Sequence, residues 1–262
     1  SKQFKIIDIF AGPGGLGEGF MSFTTGFSKP FDIAISIEKD PTAHATLTLW
    51  SFFRKFDKAP QEYWQYARGD ISREELFHAW PKQAAAALYE AQCWELGSDN
   101  HDLIRNQIAK RLGKTKPWVL IGGPPCQAYS LVGRSRMSGK EGFEQDARHF
   151  LYKEYLRILA DHQPPVFVME NVKGLLSAKN GGEKMIGRIL ADLKMPGEAI
   201  GSRNRDLGYR LYSFTTSADE NDPDPNDFLV KAEEYGIPQA RHRLLILGVR
   251  NDIQVTPQLL EK

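Results

Sequence analysis

The sequence predicts an α/β domain built on a doubly wound, mostly parallel sheet. Short apolar, β-branched runs alternate with stretches whose apolar residues recur at helical spacing, and several of the runs lead straight into turn-forming glycines and prolines. Ligands in such folds bind at the carboxyl ends of the strands, so the segments that follow each predicted strand are where chemistry is sought.

The elements follow in order. Phe4 to Phe10 reads as a buried strand entering Gly12-Pro13-Gly14-Gly15-Leu16-Gly17, with a helix to follow. Ile33 to Ile37 makes a second strand, with Glu38 at its end. Thr42 to Lys116 breaks the rhythm and reads as a long, largely helical insertion. It contains the alanine run Ala84 to Ala87, and Ser72-Arg73-Glu74-Glu75 has the form of a capping box that opens a helix just after Gly69-Asp70-Ile71. Trp118 to Ile121 resumes the strands and runs into Gly122-Gly123-Pro124-Pro125-Cys126-Gln127. Leu151 to Leu159 shows helical spacing, Pro165 to Met169 is a strand that ends at Glu170, and Lys184 to Leu193 is again helical. Tyr209 to Thr215 is a strand candidate with aromatic alternation, and Leu244 to Val249 is a late strand. Between them, Ser217 to Asp227 holds two prolines and five acidic residues and reads as a surface loop.

Composition narrows the function classes. Hydrophobic residues make up 41% of the chain and charged residues 26%, and no apolar run approaches the roughly 20 residues of a membrane-spanning helix. The segment Phe4-Lys5-Ile6-Ile7-Asp8 has no basic leader or cleavage site, so a cytoplasmic location is expected. The two cysteines, Cys93 and Cys126, supply neither a disulfide framework nor a four-cysteine zinc site, and none of the six histidines forms a metal-like pair. The balance of 34 basic and 33 acidic residues, a formal +1, gives no sign of a polyanionic partner by itself. Arg134, Arg136, Lys140 and Arg148 nevertheless gather in one glycine-containing segment, Tyr129 to Arg148, either as a charged surface loop or as cations for a polyanion.

Gly12, Gly14 and Gly17 satisfy G-x-G-x-x-G after a strand, and Glu38 stands where a ribose-binding acid is expected. A nicotinamide dehydrogenase is therefore one reading. Pro13, however, removes a backbone donor from a loop that would have to cradle a pyrophosphate. S-adenosylmethionine has no phosphate and needs only close backbone approach, with Glu38 accepting from its ribose hydroxyls. Asp70 is a candidate acceptor for the adenine amino group or a solvated turn residue, and Phe10 is a candidate to stack on the adenine or to fill the core.

The stretch around Cys126 is the most specific in the chain. A buried strand runs into two glycines and two prolines, which stiffen the support on which the thiol is presented. A lone cysteine is usually a small buried hydrophobe; one in a loop at the ligand-binding edge of a sheet has the setting of a nucleophile.

Four stretches in order, Phe10-Ala11-Gly12-Pro13-Gly14-Gly15, Pro124-Pro125-Cys126-Gln127, Glu170-Asn171-Val172 and Gln239-Ala240-Arg241-His242-Arg243, resemble motifs of the C5-cytosine DNA methyltransferase family, over Phe4 to about Val249. The resemblance implies a Rossmann-like, S-adenosylmethionine-dependent methyltransferase fold over residues 1–262. Cys126 would then add to carbon 6 of a flipped-out cytosine in double-stranded DNA, so that carbon 5 can take the methyl group and S-adenosylhomocysteine is left. Glu170 would serve N3 of the ring, Asn171 and Pro125 would brace the cysteine loop, Gln239 would support it, Arg243 would reach the cytosine O2, and Arg241 would hold Glu170 or a phosphate. Asp8, Phe10, Ala11, Gly12, Gly14, Gly15, Glu38, Lys39, Asp70, Ile71, Gly123 and Pro124 would form the cofactor site. Ser130, Arg134, Arg136 and Arg148 would meet DNA. No metal and no membrane are expected, and a monomer is. The family continues past its arginine motif into a target-recognition domain, which is expected beyond residue 262. An RNA cytosine methyltransferase and a non-catalytic, methyltransferase-like DNA-binding partner are the alternatives; the dehydrogenase reading leaves the cysteine and arginine motifs unexplained.

Overall fold

The computed structural model describes residues 3–26, 28–114, 117–125, 147–180, 183–202, 207–217 and 223–262. The chain divides into two units, residues 1–95 and 96–262.

In the first unit, β1 (Phe4–Ile9) pairs in parallel with β2 (Phe31–Ile37), and α1 (Gly15–Ser22) makes the crossover between them. The apolar runs are two-sided cores, as a parallel strand requires: Ile6, Ile7, Ile9, Ile35 and Ile37 are wholly buried. From β2 the chain enters α2 (Pro41–Phe53), with Asp40 as N-cap accepting from the Ala43 amide and Pro41 in the first turn. Three shorter helices follow, α3 (Gln61–Arg68), α4 (Arg73–Ala79) and α5 (Pro81–Glu90). They pack around Phe52, Leu76, Ala84 and Ala87, with Phe52 and Phe77 stacked at 4.9 Å. The capping box is present at Ser72, whose hydroxyl accepts from the Glu75 amide while the Glu75 carboxylate accepts from the Ser72 amide.

The predicted insertion of residues 42–116 needs revising at this point. The chain leaves α5 directly into β3 (Ala91–Gln92), which pairs in parallel with the end of β2, so the unit's strand order is β3-β2-β1. The stretch therefore includes a strand of the sheet, which α3 to α5 precede. A two-residue strand that continues an alanine-rich helix has no apolar run to betray it.

In the second unit, α6 (His101–Leu112) precedes β4 (Trp118–Gly122), which is buried at every residue and pairs in parallel with β5 (Val166–Val172) across α7 (Ala147–His162). A small hairpin, β6 (Lys179–Asn180) and β7 (Glu183–Lys184), leads into α8 (Met185–Lys194), which buries Met185, Ile186, Ile189, Leu190 and Leu193, and a short α9 (Pro196–Ala199). The late strand β10 (His242–Arg250) runs antiparallel between β5 and β8 (Tyr209–Tyr212), and its first residues also pair with β9 (Leu229–Lys231). The β8 strand is thus shorter than the predicted Tyr209 to Thr215. The described end of the acidic loop closes in a 3-10 turn, Pro225–Phe228, capped by Asp224. Phe167 sits edge-on to Tyr155 and Tyr209, and it packs on Gly248, where a Cβ would overlap its ring.

Parallel strands joined by helical crossovers, with an antiparallel late strand, make this the predicted α/β, Rossmann-like class. Among the described residues no helix is long and apolar enough to cross a membrane.

Candidate active site

The first unit has a candidate site of its own, which starts where β1 ends. Phe10, Gly12 and Gly14 all have positive φ, at 55°, 56° and 99°, so the chain coils tightly before α1 opens at Gly15. Phe10 bears this conformation without glycine's freedom, a strain that concentrates at functional loops. A side chain at Gly14 would be strained by its φ of 99° and would press on Leu47 Cδ1, 3.0 Å from the Cβ position. The loop is held from outside: Ala11 donates to the Ile37 carbonyl at 3.0 Å, and Gly12 donates to Glu38 Oε2 at 2.8 Å. Glu38 Oε1 accepts from the Asp40 amide at 2.7 Å, so one carboxylate fixes both the loop and the start of α2.

The fit to S-adenosylmethionine rests on this cradle. The tight glycine turn lets backbone approach a ligand closely, the backbone of Gly14 disfavours a side chain, and each Glu38 oxygen keeps a lone pair for a hydroxyl. Lys39 forms an exposed ion pair with Glu95 at 3.1 Å, and Cys93 Sγ lies 3.8 Å from the Lys39 carbonyl.

Asp8 lies one layer deeper. It is 1% exposed, and neither carboxyl oxygen has a hydrogen-bond partner among the described residues. Ser36 faces it without a well-formed hydrogen bond, and Gly17 covers it so closely that a Cβ there would lie 2.9 Å from Oδ2. Burial pushes the Asp8 carboxyl up to about 8, Arg54 opposes that rise, and the nearby Glu38 and Glu90 add to it.

Asp70 and Ile71 do not follow a strand. They sit in the turn between α3 and α4, where Arg68 holds the exposed Asp70 carboxylate at 3.0 Å and Ile71 packs into the helical cluster. The residues that follow the third strand are Cys93, Trp94 and Glu95, which sequence reasoning missed because β3 has no strand signature.

The second unit has its own candidate site, at the ends of β4 and β5. Past β4 come Gly123, Pro124 and Pro125. A Cβ on Gly123 would lie 2.8 Å from Glu170 Oε2, so glycine is required there for Glu170 to stand beside the loop. Asn171 is 7% exposed; its amide nitrogen donates to the Pro124 carbonyl at 3.2 Å and its Oδ1 accepts from the Val172 amide at 2.9 Å. Asn171 thus joins the end of β5 to the Pro124 carbonyl. Cys126, Ser130, Arg134 and Arg136 lie outside the described residues, as does the Arg148 side chain.

Arg243 Nε lies 2.7 Å from Glu170 Oε1, an ion pair off the hydrogen-bond axis, and Nη1 donates to the His242 carbonyl at 2.8 Å. The register explains the pairing. Leu245 stands opposite Glu170 on β5, so Arg243, two residues along, is the diagonal neighbour on the same face. Glu170 is held by Arg243 and not by Arg241, which is exposed at the mouth of β10 with its carbonyl accepting from the Ala232 amide at 2.9 Å. Gln239 is exposed in the tight turn before it. His242 is half-buried and bonds Glu233 at 2.6 Å, which anchors this arm to the 3-10 turn Ala232–Tyr235. Among the described residues no three His, Cys, Asp or Glu side chains are placed to hold a metal ion.

The chain is similar to proteins of one family. The model of the C-5 cytosine-specific DNA methylase family matches residues 74–262. The chain is 31% identical over 268 residues to the type II methyltransferase M.Bpa9945I of Bacillus paralicheniformis, an alignment that takes in 95% of this chain and 54% of that protein. It is 28% identical to M.BspRI of Lysinibacillus sphaericus over 97% of this chain and 46% of that one. The chain thus spans about half the length of these relatives. A solved structure described as a putative DNA modification methyltransferase encoded within a prophage in E. coli aligns over 98% of this chain and 49% of its own, with a TM-score of 0.47 and 19% identity.

Proposed function

From the premise that the chain belongs to the C-5 cytosine-specific DNA methylase family, we propose that it transfers a methyl group from S-adenosylmethionine to carbon 5 of cytosine in DNA. The observation that carries the reading is the Glu170 carboxyl set against Gly123 and paired with Arg243, at the root of the Pro124-Pro125-Cys126 loop that Asn171 ties down.

Carbon 5 of cytosine is too poor a nucleophile to attack a sulfonium methyl unaided. The Cys126 thiolate forms a bond to carbon 6, and the electron pair displaced from the 5,6 double bond makes carbon 5 nucleophilic. Glu170 hydrogen-bonds or protonates N3 as negative charge spreads into the ring. Arg243 keeps the Glu170 carboxyl aimed and serves the cytosine O2, and Asn171 fixes the backbone from which the thiolate is presented. After methylation the carbon-5 proton is removed, the carbon 6–sulfur bond breaks, and the thiolate leaves. S-adenosylmethionine, when bound, supplies the electrophilic methyl group; the Gly12 to Gly15 backbone and Glu38 hold it. A duplex buries carbon 6 in the stack, so the target base is flipped out, at a cost of a few kcal/mol. Ser130, Arg134, Arg136 and Arg148 steady the DNA backbone.

The test is covalent trapping on duplex DNA with 5-fluorocytosine at the target position, where the fluorine cannot be eliminated. The expected result is a denaturation-resistant adduct that needs S-adenosylmethionine and is lost in Cys126→Ser. An adduct that persists in Cys126→Ser would remove the thiol from its role, and labelled methyl entering transfer RNA in place of DNA would move the substrate to RNA.

A further inference from the structure

Asp8 is a buried acid with nothing to neutralise it directly. It sits at the end of β1 beneath the glycine loop, walled by Gly17 of α1 and by Ser36 of β2. The charged groups that reach it are Glu38 from the end of β2, Arg54 from the end of α2 and Glu90 from the end of α5. Arg54 is itself gripped by Glu18 and Glu90, and Lys55 by Glu90. Three carboxylates, Glu18, Glu38 and Glu90, therefore already face two cations, and an ionised Asp8 would be a second uncompensated negative charge in a region of low dielectric.

One kind of ligand corrects that imbalance: a cation placed in the loop above. Resting on the reading that this loop holds S-adenosylmethionine, we propose that Asp8 reads the charge of the methyl donor, staying a neutral acid in the donor-free protein and giving its proton to solvent when the sulfonium is bound. The O–H bond of the carboxyl breaks, its electron pair stays on oxygen as carboxylate, and the proton goes to buffer. Asp8 does not touch the donor; it acts through the field across the loop, as a positioning residue. Methyl transfer turns the sulfonium into an uncharged thioether, so Asp8 takes back a proton and the product loses an attraction the donor had. Discrimination between donor and product is then built into the floor of the loop.

The test is calorimetric titration of the wild-type protein at pH 7 with S-adenosylmethionine and with S-adenosylhomocysteine, in phosphate and in Tris, whose ionisation heats differ. The buffer dependence is expected to report about half to one proton released per donor bound and less than half as much for the product. The release should fade above about pH 8, where the carboxyl is already ionised. Asp8→Asn should abolish the difference and narrow the preference for donor over product. Equal proton counts for the two ligands in the wild type would overturn the proposal while leaving the loop's assignment intact. Binding of neither ligand would overturn the assignment and the proposal together.

Discussion

Two side chains set the character of the two sites. Asp8 is protonated in the native state up to about pH 8, whereas in the unfolded chain it titrates near 3.8. Its native value is raised, so between those limits the folded protein holds a proton that the unfolded one lacks, and stability falls as pH rises across that window before levelling off. The isosteric Asp8→Asn does not titrate. Thermal melts from pH 5 to pH 9 should show the wild type losing ground against Asp8→Asn up to about pH 8 and running parallel above it; a constant gap would show that Asp8 is ionised throughout. At the other site, Gly123 is the sensitive position. An added methyl would lie 2.8 Å from Glu170 Oε2 and 3.4 Å from the Glu170 carbonyl, so the carboxyl must swing away from its place beside Arg243. Gly123→Ala should slow methyl transfer and fluorocytosine trapping about tenfold or more, at about 1.4 kcal/mol per factor of ten, with little change in thermal stability. Loss of both together would point to a collapsed loop and not to a displaced acid.

Arg54 is the joint between elements in the first unit. It ends α2 and pairs with Glu18 of α1 and with Glu90, the last residue of α5, which Lys55 also meets. Arg54→Met would leave two carboxylates in a poorly solvated site without their shared cation, and breaking such a buried network costs about 3–5 kcal/mol. Denaturant melts should show that loss, and Glu90→Gln in the Arg54→Met background should recover part of it; a loss under about 1 kcal/mol would mark the network as solvent-screened. None of this joint was legible in the sequence, because Glu18, Arg54 and Glu90 are far apart in the chain and charge alone does not say which helices meet. The apolar strands were legible, since β1, β2, β4 and β5 are long enough to carry their burial in their composition. The edge strand Ala91–Gln92 was not, and missing it sent the adenine-site reading to Asp70 and Ile71 in a helix–helix turn. The Glu170–Arg243 pair was half legible: the motif pointed to both residues, but which arginine meets Glu170 depends on the antiparallel register of β10 on β5, and alternation encodes neither the direction nor the offset of a strand.

Over the whole chain, 34 basic residues face 33 acidic ones, so its net charge offers DNA little attraction at a distance. Among the described residues some basic side chains are matched locally: Lys5 with Asp32, Lys39 with Glu95, Arg157 with Glu154, Arg250 with Asp252, and both Lys231 and Lys262 with Glu234. Arg134, Arg136, Lys140 and Arg148 are grouped in sequence, although Glu141, Glu144 and Asp146 stand among them. Each phosphate neutralised contributes about −0.9 to the slope of log affinity against log salt, so four contacts limit the slope to about −3.6 and the loss between 50 and 200 mM salt to about a hundredfold. Anisotropy titrations of the chain on a duplex should give a slope no steeper than that. Replacing the four residues by glutamine should flatten it by about 3.6 while leaving S-adenosylmethionine binding unchanged. A slope that survives the fourfold replacement would place the phosphate contacts elsewhere on the chain and assign these four residues to a solvated surface.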